Sequence, residues 1–379
     1  MRTRTCMVIA QTQHARLFKP RAARAESIPW PCSHRRRTSD KTLRDPDPTP
    51  LSPTAALALA RAEPVAREYS ALGTQPFLLL HLSAQHLPLD EQQFLADWLQ
   101  RQPCPVLGIE VDAVESVLSA ACDVRLRDSA DAALLLANIR RSPIAAAVLV
   151  QLLRAVEHLP LESALVAESL AYSSLQAGPE FRHWLDARAR EPLEASSDPG
   201  PALLLTREDS NLRLTLNRPS THNAMTVEMR DALVEALQLV LADPSIESVE
   251  IDAIGRCFST GGELREFGTA PDPASAHLVR SLALPGRYLA QCAARVRVVV
   301  HGACIGSGIE FPAFAATLAA QPDAYFQLPE LRFGLIPGAG GCSSITRRIG
   351  RQRTAWLVLS GKRIDAVTAH SWGLVDAVL

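Results

Sequence analysis

The feature that most restricts the fold of this chain is an apolar run that ends in glycines, VVVHGACIGSGIE over residues 298–310. Its unbroken β-branched start predicts a strand that is buried on both faces. Gly302, Gly306 and Gly308 allow the backbone to turn sharply and to lie close to a ligand. A helix that begins at this turn directs free N–H groups into it, so we expect the carboxylate of Glu310 beside backbone donors.

A second acid follows twenty residues later in a similar setting. The segment YFQLPELRFGLIPGAGG, residues 325–341, places Glu330 directly after a proline and ahead of another glycine cluster. Two carboxyl groups that face each other across a bound water can divide the roles of base and acid if their pKa values are held apart. Taken singly, Glu310 also fits a helix-terminal acid and Glu330 a solvated acid after a strand.

Five motifs in this part of the chain occur in a characteristic order. They are LNRPSTHNAM (216–225), CFSTGGEL (257–264), HGACIGSGIE (301–310), LPELRFGLIPGAGG (328–341) and LSGKRIDAVTAHSWGLVDAV (359–378). In order and spacing they resemble the crotonase (enoyl-CoA hydratase/isomerase) superfamily, from about residue 203 to residue 379. The resemblance implies an α/β fold, a crotonase-like spiral of β-β-α turns with a helical cover that also builds a trimer.

The resemblance also implies the residues of an active site. Backbone N–H groups of Gly262 and Ser307 would form an oxyanion hole for a thioester carbonyl. Glu310 would hold and activate a water, and Glu330 would deliver a proton to Cα. Isomerases of the superfamily operate with the equivalent of Glu330 alone, so the presence of both acids favours hydration.

The implied substrate is carried as a coenzyme A thioester, with no covalently bound cofactor and no metal. By resemblance, Arg265 and Arg218 are the candidate CoA-binding residues, since arginine offers a planar fork to phosphate. Arg218 equally fits a surface arginine beside a turn proline. Two departures from the family pattern bear on activity: Ser307 stands where glycine is usual, and Pro312 lies two residues after Glu310.

The function these residues predict is hydration of a 2-enoyl-CoA to a 3-hydroxyacyl-CoA, which is a lyase activity. The alternative within the same chemistry is an enoyl-CoA isomerase or another crotonase-type lyase. A further alternative is a non-catalytic acyl-CoA-binding or scaffold subunit, which the two departures would explain. Fatty acid or other acyl-CoA metabolism is the expected setting.

The chain divides into four parts by composition. Residues 1–70 are rich in arginine, proline and serine and predict a disordered tail, although an arginine-rich, acid-poor start also occurs in transit peptides. Residues 71–128 predict a short α/β segment, and residues 129–195 a helical region that resembles the helices at the C-terminus of crotonases. Residues 196–379 form the crotonase-like core. We interpret this order as a permuted arrangement; the alternative is an unrelated helical domain before a truncated core.

Local patterns predict several elements of these parts. Residues 77–82 and 103–111 predict buried strands, and 89–100 the helix between them in a parallel unit. Ser142 before Pro143 predicts a helix cap. In the core, we expect a β-hairpin that turns at 208–211, followed by an amphipathic helix with one apolar face. That face comprises Met229, Leu233, Ala236, Leu237 and Val240.

Composition restricts the partners. A formal net charge of −1 provides no bulk field for nucleic acid or an anionic membrane. The eight cysteines are scattered singly, without metal spacing, and no apolar run approaches the ~20 residues of a membrane helix. We therefore expect a cytoplasmic protein, of bacterial origin by its arginine-rich, lysine-poor composition, that binds acyl-CoA. The resemblance adds a homotrimer or a dimer of trimers.

Overall fold

The computed structural model describes residues 48–82, 87–110, 116–127, 129–188 and 197–379. Residues 1–47 of the predicted tail lie outside the described residues, as does the predicted boundary at 195/196. The prediction of disorder up to residue 70 is wrong for its last third, because Pro53–Ala62 form a helix, α1. Ser52 caps it by accepting a hydrogen bond from the Ala55 N–H, and a proline occupies the first helical position.

The segment that follows is a small parallel α/β unit, as predicted. Its elements after α1 are β1 (Leu78–Leu82), α2 (Leu89–Gln100), β2 (Val106–Glu110), α3 (Val117–Ala121) and β3 (Val124–Leu126). The three strands pair in parallel in the order β1-β2-β3. Leu95, Trp98 and Leu99 bury one face of α2, whereas Phe94 is exposed.

Four helices come next, which confirms the helical prediction for this region. They are α4 (Ser129–Arg141), α5 (Pro143–Val156), α6 (Leu161–Gln176) and α7 (Pro179–Asp186). The predicted cap is wrong, because the Ser142 hydroxyl donates instead to the carbonyl of Leu331 in the core. The carboxylate of Glu180 takes its place and accepts from the N–H groups of Ile144 and Ala145 at 2.8 and 2.9 Å.

The C-terminal half contains the remaining elements. They are β4 (Leu203–Glu208), β5 (Asn211–Leu216), α8 (Val227–Ala242), β6 (Ser248–Ala253), α9 (Pro273–Leu282), α10 (Pro285–Cys292), β7 (Val296–Val300), β8 (Ala303–Ile305), α11 (Ser307–Glu310), β9 (Thr317–Ala320), β10 (Tyr325–Gln327), α12 (Gly341–Ile349), α13 (Arg351–Ser360), β11 (Ile364–Asp365), α14 (Ala366–Trp372) and β12 (Ala377–Val378). Six strands form a sheet in the order β12-β9-β7-β6-β5-β4, and three form a second sheet, β11-β10-β8. Most pairs are parallel, and the hairpin β4–β5 is antiparallel.

Predictions for the core hold except at one strand. The hairpin turns where expected, and the five apolar residues assigned to one face of α8 are all buried. Strand β7 is not buried on both faces, because Arg297 is exposed and Val299 is only half-buried. Arg297 forms an ion pair with Glu250 at 3.3 Å, so this face of the strand meets solvent.

The helical region packs directly on the core. The side chain of Asn138 donates to the carbonyls of Leu359 and Ser360 at 2.9 and 3.1 Å. Leu149 of α5 and Ile345 of α12 belong to one continuous hydrophobic core. Helices that precede the core in the chain therefore cover it, and the permuted arrangement stays a prediction.

A buried carboxylate joins the α/β segment to both other parts. Asp123 is 2% exposed and accepts hydrogen bonds from Arg154 Nε at 2.8 Å and from the Val106 N–H at 2.8 Å. Arg351 of α13 lies 3.4 Å from the same carboxylate and donates to the carbonyl of Cys122. One acid thus holds guanidinium groups from the helical region and from the core.

We expect Asp123→Asn to lower the free energy of unfolding by about 3–5 kcal/mol, because it leaves the guanidinium of Arg154 without its counter-charge and removes one of the two acids that pair with Arg351, the other being Glu157. Urea titration followed by circular dichroism measures the change. Asp243→Asn is the matched control: its carboxylate pairs with Arg207 at 2.8 Å on the surface, and little change is expected. Equal effects of the two substitutions would contradict the role of Asp123.

Candidate active site

The four residues that were predicted to act together line one cavity. It has a volume of about 670 Å³, and Gly262, Ser307, Glu310 and Glu330 all contribute to its wall. Segments from the core and from the helical region surround it. A ligand in this cavity can therefore contact both predicted acids and both predicted backbone donors.

The backbone around Gly262 is held so that its N–H stays available. Gly261 adopts φ of +90°, and a Cβ there would lie 2.6 Å from the carbonyl oxygen of Ile305. Met225 pairs with this segment, donating to the Gly261 carbonyl at 2.8 Å and accepting from the Glu263 N–H at 3.1 Å. Gly262 lies between these two bonded residues, and its own N–H has no acceptor among the described residues.

The second donor begins a very short helix. Gly306, with φ of +51°, turns the chain into α11, whose first residue is Ser307. The Ser307 N–H likewise has no acceptor among the described residues. Gly308 is required here because a Cβ would lie 2.5 Å from the carbonyl oxygen of Ser259. Ser307 brings a buried hydroxyl that has no hydrogen-bond partner in the described structure.

Pro312 limits α11 to a single turn. The α-helix ends at Glu310, and the proline begins a 3-10 turn, Pro312–Phe314, where its missing N–H is not needed. The Ser344 hydroxyl donates to the Glu310 carbonyl at 2.7 Å. Pro312 therefore leaves Glu310 in the wall of the cavity.

Glu310 is buried beside backbone donors, as its position at the turn predicts. It is 3% exposed, and its Oε2 accepts from the N–H groups of Ala339 and Gly341 at 2.7 and 3.0 Å. Burial raises the pKa of this carboxyl to about 7, although the backbone hydrogen bonds oppose the shift. The group can therefore hold or release a proton near neutral pH.

Glu330 has a different environment. It opens the 3-10 turn Glu330–Phe333 and is 8% exposed, and its Oε2 has no partner in the described structure. Burial, and then the charge of Glu310, raise its pKa well above the usual range. A Cβ on Gly306 would lie 2.8 Å from Glu330 Oε1 and 3.9 Å from Glu310 Oε1, so the two carboxyl groups converge on one point. The arrangement favours a carboxylate at Glu310 and a carboxylic acid at Glu330.

Comparison with known proteins places the chain in a family. Residues 206–379 match the family model described as enoyl-CoA hydratase/isomerase. The 2,3-dehydroadipyl-CoA hydratase of Escherichia coli (strain K12) is 32% identical over 183 residues, which cover 46% of this chain and 68% of the relative. The chain belongs to the enoyl-CoA hydratase/isomerase family. This confirms the resemblance to the crotonase superfamily and its α/β fold class, in a family of hydratase/isomerase-type enzymes that process acyl-CoA.

Other relatives and solved structures show the same extent of match. Cyclohexa-1,5-dienecarbonyl-CoA hydratase of Thauera aromatica is 36% identical over 177 residues, 46% of this chain and 66% of the relative. An enoyl-CoA hydratase structure from Thermoplasma volcanium GSS1 is 29% identical, with a TM-score of 0.43, over 48% of this chain and 72% of that one. The chain thus spans about two thirds of the length of the relatives it matches.

The two arginines proposed to bind CoA do not line the cavity of this family member. The guanidinium of Arg218 is buried, forms an ion pair with Glu228 at 2.6 Å and donates to the carbonyl of Asn217. Arg265 pairs with Glu263 at 2.9 Å, beside residues that do line the cavity. Their roles in CoA binding stay predictions.

The cavity residues that come from the helical region were not predicted from the sequence. Tyr172 and Gln176 of α6 line the cavity, and a Cβ on Gly338 would lie 2.3 Å from Tyr172 Cδ2. Glu168 lies one turn before Tyr172 on α6, and its side chain is buried against the glycine-rich loop. The available signal was an acid on the apolar stripe of α6, because a lone charge on a buried face requires partners.

The raised pKa values predict how the stability of the fold depends on pH. Glu310 has a pKa of about 7 and Glu168 of about 8, both above their ordinary value of 4.5. The folded state keeps protons that the unfolded chain releases, so this contribution to stability is full below pH 4.5 and is lost as pH rises through 7 to 8. The free energy of unfolding should fall by up to about 1.4 kcal/mol per pH unit per group across this range.

Urea titrations at a series of pH values measure this slope. Glu310→Gln and Glu168→Gln should each flatten it, because an amide does not titrate. Stability that rises between about pH 5 and pH 8, with a slope that neither substitution changes, would contradict the assignment.

The described residues hold neither a metal-binding cluster nor a single membrane-spanning helix. No group of three or more histidine, cysteine, aspartate or glutamate side chains there is placed to hold a metal ion. No single helix in the described part of the chain is long and apolar enough to cross a membrane, although one bent pair, 132–141 with 143–156, passes by length and composition.

Proposed function

We propose that this family member hydrates a 2-enoyl-CoA to a 3-hydroxyacyl-CoA. The proposal depends on one observation: two buried glutamates with raised pKa values line the same cavity as two backbone N–H groups that have no acceptor among the described residues. Addition of water to a conjugated thioester needs a base for the water, an acid for Cα and donors for the carbonyl oxygen. Residues that line the cavity can supply all three groups.

The backbone donors stabilise the enolate. The thioester carbonyl accepts hydrogen bonds from the N–H groups of Gly262 and Ser307, and negative charge that develops on this oxygen meets two fixed dipoles. Loss of one such donor typically costs about 10²–10³ in rate, because a preorganised site needs no reorganisation. Serine at position 307 carries a side chain that glycine lacks, but its backbone N–H remains available as a donor.

The two acids divide the proton transfers. Glu310 as carboxylate takes a proton from the water, whose oxygen forms the new bond to Cβ. Glu330 as carboxylic acid gives its proton to Cα, which restores the thioester carbonyl. Their unequal surroundings support this order, since Glu310 Oε2 accepts two backbone hydrogen bonds whereas Glu330 Oε2 has no partner among the described residues.

The substrate is proposed to enter as a CoA thioester, and the reaction draws on no resident cofactor or metal. The cavity wall includes Phe267 and Phe333, which pack with Trp184 of α7 at centroid distances of 6.1 and 4.9 Å. This aromatic cluster offers an apolar surface to an acyl chain or an adenine ring. Arg265 and Arg218 remain the proposed partners of the CoA phosphates.

The test is a substrate panel with the purified chain. Crotonyl-CoA and longer 2-enoyl-CoAs should lose the absorbance of the conjugated thioester and yield a product that is heavier by one water. Acyl-CoA binding in calorimetry without turnover of any acyl-CoA would favour the alternative, a non-catalytic binding subunit.

We also propose the arrangement of the chain and its assembly. The helical region 129–195 replaces the helices that crotonases carry after the core, and residues 71–128 form an added α/β segment. A homotrimer or dimer of trimers in a bacterial cytoplasm is the corresponding assembly. Light scattering coupled to size-exclusion chromatography tests it.

A further inference from the structure

A third buried glutamate lies next to the predicted pair. Glu168 of α6 is 2% exposed, and burial followed by the charge of Glu310 raises its pKa to about 8. It comes from the helical region and not from any of the motifs of the core. The catalytic scheme above assigns it no proton and no contact with substrate, so its burial needs another explanation.

Glu168 and Glu310 bind one loop in alternation. The N–H groups of Ala339 and Gly341 donate to Glu310, at 2.7 and 3.0 Å. Between them, the N–H of Gly340 donates to Glu168 Oε1 at 2.6 Å, and the Ser343 N–H donates to Oε2 at 3.1 Å. Each carboxyl group thus approaches the loop from its own side, and successive amides point in opposite directions.

Neighbouring side chains pack closely around the glycines of this loop. Gly340 adopts φ of +101°, where a side chain would be strained, and a Cβ there would lie 2.5 Å from Phe314 Cε2. A Cβ on Gly341 would lie 2.5 Å from Glu310 Cγ, and the ring of Tyr172 covers Gly338. In this conformation the amide of Gly340 faces α6, where Glu168 is its acceptor.

We propose that Glu168 is a positioning residue: by holding the N–H groups of Gly340 and Ser343, it aims those of Ala339 and Gly341 at Glu310. This inference rests on the proposed hydratase function, because it assigns Glu168 a role in that reaction. Glu168 acts through the loop and does not touch the reacting atoms. The helical region therefore completes the active site as well as covering the core.

The charges around Glu168 make its effect depend on pH. Its negative charge raises the pKa values of Glu330 and of the Cys342 thiol, and Arg280 lies close enough to interact with it electrostatically. Tyr172 and His277, on α6 and α9, are the other titratable groups beside this part of α6. Loss of the charge at position 168 should therefore move the alkaline limb of the kcat profile as well as lowering kcat.

The test replaces Glu168 by glutamine, which keeps the size of the side chain but offers one acceptor where two N–H groups need two. We expect kcat on crotonyl-CoA to fall about 100-fold with KM changed by less than about threefold, since a shift of about 1 Å at a catalytic group has this cost. Hydrogen–deuterium exchange of residues 338–343 should accelerate at least about tenfold. Glu168→Asp, which keeps both acceptors, should recover part of both losses.

Glu162→Gln is the matched control, because Glu162 lies on the same helix with its side chain 61% exposed. It should leave kcat and exchange unchanged. An E168Q enzyme with wild-type kcat and unchanged exchange would overturn the proposal, as would equal effects of the control. Where E168Q does not fold, E168D is measured in its place. Wild-type kcat in E168D, together with wild-type exchange of residues 338–343, would count against the inference.

The two proposals can fail separately. A wild-type chain that hydrates no enoyl-CoA would refute the proposed function, whereas accelerated exchange in E168Q would still show that Glu168 holds the loop. Activity in the wild type with undisturbed exchange in E168Q would refute the positioning role alone.

Discussion

Replacement of Glu330 by glutamine is expected to lower kcat for the hydration of crotonyl-CoA by about 10²–10⁴-fold, the usual contribution of a positioned acid or base. The reason is that the amide cannot give a proton to Cα, while its size preserves the cavity. Burial and the charge of Glu310 raise the pKa of Glu330, which favours its neutral form, and glutamine is neutral as well. KM should stay within a few-fold of the wild-type value.

Steady-state rates measured by thioester absorbance test this expectation. Glu235→Gln serves as the control, since Glu235 is exposed on α8 among the described residues. An E330Q enzyme that keeps more than about a tenth of wild-type kcat would remove Glu330 from the reaction.

Glu310→Gln should cause a loss of hydration of the same order, through a different step. The glutamine amide cannot accept a proton from water, although its oxygen can still accept from the N–H groups of Ala339 and Gly341 that now donate to Oε2. Hydration should therefore fail even though Glu330 remains in place. Exchange of a Cα proton of a saturated acyl-CoA with solvent, which needs only one acid–base group, should survive better than hydration.

The pair of substitutions separates hydratase from isomerase. If both abolish the loss of conjugated absorbance, the hydratase proposal stands. If E330Q alone eliminates activity, and E310Q still moves the double bond of a 3-enoyl-CoA, isomerisation is the better description. Mass analysis of products distinguishes the two, because only hydration adds water.

The residues that local chemistry determines were predictable from the amino-acid sequence. The helix α8 and the hairpin β4–β5 follow from apolar periodicity and turn residues, and both occur where expected. Gly261 and Gly306 were marked by the motifs and do adopt positive φ. Glu310 and Glu330 were found because glycines and a proline surround them in a recognisable order.

The contributions that depend on distant contacts were not predictable in the same way. Glu168 stands out as an acid on the apolar stripe of α6, but no local pattern shows that the loop at Gly340 is its partner. Ser142 has the sequence of a cap, yet Glu180 from another helix takes that role. Arg218 sits in a motif of the core, but an internal ion pair occupies its guanidinium. The local sequence around a side chain says little about the distant residues that it contacts in the fold.

The order of the parts affects how the protein is made. Glu168 and its partner Gly340 are separated by 172 positions, so a ribosome releases the covering helix long before the loop that it binds. Contacts between such distant positions form late and slowly, because the intervening chain must first be closed into a loop. Until the core is synthesised, the apolar stripe of α6 is exposed. A nascent chain with this exposed surface is prone to aggregate unless chaperones bind it or the core folds quickly. Enzymatic competence in this polypeptide thus arises only after the loop around Gly340 has been synthesised.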